Sequence, residues 1–304
     1  MNDEKTEGGR REAGGERDKK KFSFGFPPSP LSPPASRVLD KRITLGLAVL
    51  ALFLIAALFA PLLAPYDPFE LQLKEGLALP SAEHLLGQDK LGRDLFSRIL
   101  FGAQISLWVG LSTVTISLAV GCLVGAVAGF SGGWIDDLLM RVVDIFLAFP
   151  GILLAIALAA ILGPSLRNVI IALSVMGWVG YARLVRGQIL VVRELDYVAA
   201  ARALGAGPFR IVTRHLFPNI AAPLIVEATF GIAGAIVTEA SLSFLGLGVV
   251  PPTPSWGAML SDGRSFLLLA PHLTAIPGIA ILWVVMALNL LGDALRDRMD
   301  VKSR

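Results

Sequence analysis

The chain has 304 residues, 54% of them apolar and 17% charged, with a mean hydropathy of +0.68. That is far more apolar than a water-soluble domain of this length needs for its core, so the chain reads as an integral membrane protein. A formal charge of only +3 gives no basis for nucleic-acid binding, and one cysteine, Cys122 in the apolar run AVGCLVGAVAG, excludes an internal disulfide.

Residues 1–36 mix both charge signs with Gly, Ser and the proline cluster FPPSPLSPPAS, a composition that cannot bury enough apolar surface to offset its ordering entropy. A disordered cytoplasmic tail is expected over residues 1–42. The first apolar run, Ile43 to Pro65, is about 23 residues or roughly 34 Å as a helix, enough for a hydrocarbon core of about 30 Å. Its length and position suit an uncleaved anchor. With the outer segment that follows, it makes up residues 43–103. There Leu91, Leu95 and Ile99 fall on one side, with Arg93 and Arg98 free to snorkel, the pattern of a short interfacial helix.

Five further runs occupy residues 104–293: Gln104 to Phe130, Leu138 to Leu162, Asn168 to Arg186, Ile220 to Gly246 and His272 to Gly292. They complete six transmembrane helices, an all-α polytopic membrane fold. Ser131-Gly132-Gly133 and Gly163-Pro164 are turn signals between spans. Pro150 and Pro277 should kink the third and sixth helices, and Gly121, Gly125 and Gly129 form a ridge for close packing, either within the subunit or against a partner. A cytoplasmic tail is expected over 294–304. With a cytoplasmic amino terminus, the inside segments and their helix ends hold 21 of the 27 Lys and Arg, the asymmetry that sets orientation.

The longest inside loop, residues 193–219, contains YVAAARALGAGPFRIVTRHLFPN. Asp196 is placed to cap a helix from Tyr197 to Leu204, with Gly205 as its terminator. Pro208 opens a second short helix through about Leu216, and Pro218-Asn219 leads into the next span. Tyr197, Ala200, Ala201 and Leu204 share one face. Such a patch either packs on the chain's own helix ends or meets a cytoplasmic partner.

AAARALG followed by RHLFPN resembles the EAA loop of ATP-binding-cassette importer permeases, with Ala200, Ala201, Gly205 and Pro218 at the family spacing and Ala199 where a Glu is common. HLLGQDKLGRDLFSRILFGAQISL and EASLSFLGLGVVPPTPSWGAML look like signatures of the peptide and nickel branch, particularly its C-type subunit, and IPGIAILWVVMALNLLGDALRDRMD agrees. The resemblance covers about residues 40–304. It implies a type I importer permease fold in the plasma (inner) membrane, forming half of a pore for dipeptides or oligopeptides. The implied partners are a second homologous permease, two cytoplasmic ATPases and an extracytoplasmic substrate-binding protein. The loop would be the coupling helix, with Tyr197, Ala200, Ala201, Arg202, Leu204, Gly205, Arg210 and Pro218 at the ATPase. Similar permeases carry nickel chelates, glutathione, opines or oligosaccharides.

No Gly-Lys dipeptide occurs, so a P-loop is absent, and ATP hydrolysis is expected on partner subunits. No cofactor is expected and no metal site is read, His84, His215 and His272 being far apart in sequence. A self-sufficient secondary transporter would show inverted repeats, and none is seen. An intramembrane enzyme would need a nucleophile, base or metal cluster within the spans. Asp144, Glu227 and Glu239 are carboxylates within apolar runs and cannot face lipid cheaply. Asp144 is assigned to Arg141 on its own helix face, while Glu227 and Glu239 are candidates for the pathway. Trp256 reads as an interfacial anchor or, through the family resemblance, as part of an outer gate.

Overall fold

The computed structural model describes residues 35–301, with side chains from Ile43 to Met299; the expected tail up to residue 34 lies outside the described residues. Among the described residues there is no strand, only one isolated bridge between Gln88 and Asp94. The all-α class holds, and each of the six expected segments is helical. Helix α1 (Ala35–Leu58) starts before the expected Ile43 and stops short of Pro65. Pro61 lacks the N–H that would continue its ladder, and the chain turns into the one-turn helix α2 (Ala60–Leu63).

Helix α3 (Leu95–Ser131) has 37 residues, about 55 Å at the usual rise, and begins nine residues before the expected Gln104. Asp94 caps it, accepting from the Ser97 amide at 2.7 Å. The expected interfacial helix over 91–99 is therefore overturned: its second half is the first turn of α3. Arg93 and Arg98 do not snorkel but are buried, because the turn Gln88 to Arg93 wraps its backbone around the Asp89 carboxylate. Arg93 donates to Asp89 at 2.6 Å, Arg98 approaches the same oxygen at 3.5 Å, and Lys90 reaches Asp262 at 2.6 Å.

The third expected span is two helices, α4 (Gly133–Leu147) and α5 (Gly151–Leu162), meeting at 82°. Pro150 is the break, as the sequence suggested, and the bend exceeds what a proline kink alone produces. Helix α6 (Leu166–Val192) follows the Gly163-Pro164 turn, which Asn168 ties by donating to the Leu162 and Gly163 carbonyls at 2.7 and 2.9 Å. It continues past the expected Arg186. Asp144 bonds Arg183 of α6 at 2.7 Å rather than Arg141, and Arg186 holds Asp136 with two bonds. Opposite charges thus join α4 to α6 across helices.

Helices α7 (Asp196–Ala203) and α8 (Pro208–Ile211) lie in the loop over residues 193–219, and a π turn over Val212–Leu216 runs directly into α9 (Phe217–Phe244). Short helix α10 (Trp256–Gly263) and α11 (His272–Val301) complete the chain. Helix α11 runs through Pro277 and through most of the expected tail over 294–304. Among the described residues, four helical stretches, α3, α6, α8 to α9 and α11, are individually long and apolar enough to cross a membrane, and α4 with α5 supplies a fifth if counted as one span.

The glycine ridge decides one open alternative. A Cβ at Gly121 would meet Tyr181 and the Trp178 carbonyl, one at Gly125 the Ala182 carbonyl and Val185, and one at Gly129 Ile189. The ridge therefore packs α3 on α6 within the chain. A second seam centres on Trp256, which is 2% exposed and buried among Phe53, Leu95, Ala103, Ile236 and Leu273. Its indole N–H donates to the Ile99 carbonyl at 3.1 Å, and its ring fills space that a Cβ at Gly102 would occupy. The interfacial-anchor reading is overturned, because Trp256 is enclosed by protein. Trp256→Phe should lower unfolding stability in detergent by roughly 1 to 2 kcal/mol, from the lost hydrogen bond and the smaller ring; an unchanged unfolding midpoint would remove Trp256 from this role.

Candidate functional site

The loop carrying α7 and α8 presents a surface that the fold leaves uncovered. Val198 and Ile211 are buried at 0% and 1% exposure among Val185, Ile189, Val192 and Leu216, and they fix α7 and α8 to the ends of α6 and α9. Helix α7 ends in a two-bond cap: the Ala206 amide donates to the Ala201 carbonyl and the Gly205 amide to the Arg202 carbonyl, each at 3.0 Å. Gly205 has φ +80°, the left-handed geometry that this cap requires. Asp196 is the first residue of α7 and makes no capping bond; Leu195 stands at the cap position. The assignment of Asp196 as cap is thus corrected.

With the buried side of α7 accounted for by Val198, the opposite side is open. Tyr197 and Ala200 are exposed, Ala201 is half-buried, and Leu204 is 89% exposed. Packing of this patch on the chain's own helix ends is therefore not what the structure shows. Phe209, 81% exposed on α8, belongs to the same loop and was missed from sequence. Its signal was an aromatic beside Pro208, a side chain that the turn of a short helix leaves unburied. Arg202, Arg210 and Pro218 are exposed as well. The Tyr197 and His215 rings lie 6.2 Å apart, tying α7 to the π turn. There the Phe217 amide reaches back to the Val212 carbonyl, five residues away, and the π register accommodates the missing N–H of Pro218.

Two cavities lie along α9. The upper, about 410 Å³, is lined by Thr113, Ser117, Met176, Tyr181, Glu227 and Thr238 among others. The lower, about 800 Å³, is lined by Gln188, Pro218, Asn219, Glu227, Phe230 and Arg296 among others. Glu227 borders both. Its carboxylate is exposed and makes no hydrogen bond or ion pair with the described residues. A carboxylate at mid-bilayer costs on the order of 3 kcal/mol on insertion scales, so this one persists where water reaches it.

Glu239 is placed differently. It is 0% exposed, accepts from the Ser243 hydroxyl at 2.6 Å, and lines neither cavity. Trp256 lines neither of them as well. Of the three residues assigned to a pathway or gate, the structure brings only Glu227 to these cavities. Glu239→Gln should leave uptake by the assembled transporter within about twofold of wild type, because the amide keeps the Ser243 contact. A large loss of uptake with normal assembly would return Glu239 to the pathway.

These features match known proteins over most of the chain. The model for the binding-protein-dependent transport system inner membrane component matches residues 121–304. The chain belongs to that family. A second model, for the N-terminal TM domain of oligopeptide transport permease C, matches residues 40–80 of this inner membrane component. The dipeptide transport system permease protein DppC of Alkalihalophilus pseudofirmus is 46% identical over 265 residues, 87% of each chain. The di/tripeptide permease DppC of Pseudomonas aeruginosa is 47% identical, over 84% of this chain and 87% of its own. The glutathione transport system permease protein GsiD of Pectobacterium atrosepticum is 45% identical, over 88% and 89%. Among solved structures, an inward-facing form of the MetNI methionine ABC transporter aligns with a TM-score of 0.54 and 20% identity, covering 66% of this permease and 95% of that chain. At that identity the likeness establishes the fold. The chain is thus a multi-pass inner-membrane permease component of the ATP-binding-cassette importer type.

Proposed function

We propose that this chain forms half of the pore of an ATP-driven importer of dipeptides or oligopeptides, with both ends of the chain in the cytoplasm. The observation that carries the coupling role is the open face of α7 and α8, where Tyr197, Ala200, Leu204 and Phe209 stand out from a loop anchored by Val198 and Ile211. An ATPase that grips this face in one nucleotide state and not in another supplies the differential binding a conformational switch needs. Two such ATPases, a second homologous permease closing the other side of the cavities, and an extracytoplasmic binding protein complete the assembly. Peptide cargo is supported by the two dipeptide or di/tripeptide relatives at 46% and 47% identity. Glutathione is the second reading, favoured by a relative at 45%. Uptake of labelled dipeptides by cells with and without this chain tests the assignment; equal uptake would refute it.

A further inference from the structure

Glu227 stands where the upper and lower cavities meet, and we propose that its carboxylate selects cargo by charge. It favours solutes rich in ammonium groups and disfavours those with surplus carboxylates. This rests on the peptide-permease reading above. Among the residues lining the upper cavity, Glu227 alone carries charge; the other polar groups there are the hydroxyls of Thr113, Ser117, Tyr181 and Thr238. It lies ten residues beyond Phe217 on α9, about 15 Å along the helix axis, so the charge is well inside the span.

Several other carboxylates on or beside the spans are engaged. Asp136 and Asp144 hold arginines of α6, Asp94 caps α3, and Glu239 accepts from Ser243. Glu227 has no such partner among the described residues, so its field acts on what enters the cavity, and apolar walls such as Phe146, Ile152 and Met176 strengthen that field. Below it, Arg296 lines the lower cavity with Gln188 and Asn219, which suits the release of a solute carrying both signs. A neutral dipeptide carries one ammonium and one carboxylate. Glutathione carries one ammonium and two carboxylates, and so meets net repulsion at Glu227. The geometry therefore favours peptides over glutathione as cargo.

The test is competitive uptake of a lysine-containing and a glutamate-containing dipeptide by the complete transporter, with the same binding protein throughout so that its preference cancels between variants. Glu227→Gln should reduce the lysine-over-glutamate preference by about tenfold, the size of one charge-assisted contact. Thr238→Asp adds a second carboxylate to the upper cavity and should raise the preference, which keeps the test decisive if Glu227→Gln fails to assemble. An unchanged preference in assembled variants, with dipeptide uptake intact, overturns charge selection while the peptide reading stands. Absence of dipeptide uptake by the unaltered transporter overturns that reading instead.

Discussion

A chain carrying Leu204→Asp and Phe209→Asp should reach the membrane in normal amount yet fail to retain its ATPase, with affinity weakened about a hundredfold or more. Both side chains are almost wholly exposed, at 89% and 81%, so they contribute little to the fold of the free chain and their replacement leaves its core untouched. In the proposed complex they would be apolar anchors on an alanine-rich face. Truncating such an anchor at an interface centre costs about 2 kcal/mol or more, and a buried unpaired carboxylate adds to that. Two of them exceed a hundredfold in affinity. Co-purification of the ATPase and ATP-dependent uptake are the measurements. Retention of both would show that the ATPase grips another surface. Val198→Asp is the informative contrast: it attacks the buried anchor and should reduce the amount of folded protein instead.

The absence of a Glu at Ala199 sharpens this prediction. Position 199 is an exposed alanine with no carboxylate to offer, so the proposed contact would rest on shape and apolar area. Binding of the ATPase should then weaken little with added salt compared with an interface held by exposed ion pairs, which are screened within about 10 Å at 0.1 M.

The loop was legible in sequence because its signals are local: Gly205 for the left-handed cap, Pro208 for the first turn of α8, and apolar residues at helical spacing on α7. What escaped was set by distant contacts. Asp94 and Ser97 carried a capping signal for α3, but an apolar count placed the start at Gln104, because the charged turn before it gave no hint that Arg93 and Arg98 would be buried on Asp89. Pro150 announced a break but not its 82° angle, nor the ties of α4 to α6 through Asp136 with Arg186 and Asp144 with Arg183, which join residues far apart in the chain. Glu227 and Glu239 lie twelve residues apart on α9, about 120° around the helix at 100° per residue. The sequence therefore implied that they face different surroundings without saying which faces a cavity. Trp256 was misplaced for the same reason, since the slot it fills is opened by Gly102, far away in the chain.

The α3 to α6 seam yields the largest expected loss of stability. Gly125→Leu should prevent accumulation of folded chain, a penalty of at least about 3 kcal/mol. Overpacking a core usually costs about 1 to 3 kcal/mol when side chains can move aside. At Gly125 the obstacle includes the Ala182 carbonyl and the Arg186 amide, backbone atoms inside a helix that cannot yield without separating α6 from α3. Separation would also strip cover from Val185 and Ile189, both 0% exposed and both part of the core that anchors Val198. The damage therefore reaches the loop that carries α7 and α8 through packing alone. Gly187→Ala is the control on the same seam helix. Nothing lies within 4 Å of its would-be Cβ, and alanine is the better helix former by about 1 kcal/mol, so this variant should match or exceed wild type in unfolding midpoint. If the two substitutions behave alike in detergent, close approach at the ridge is not what holds the two helices together.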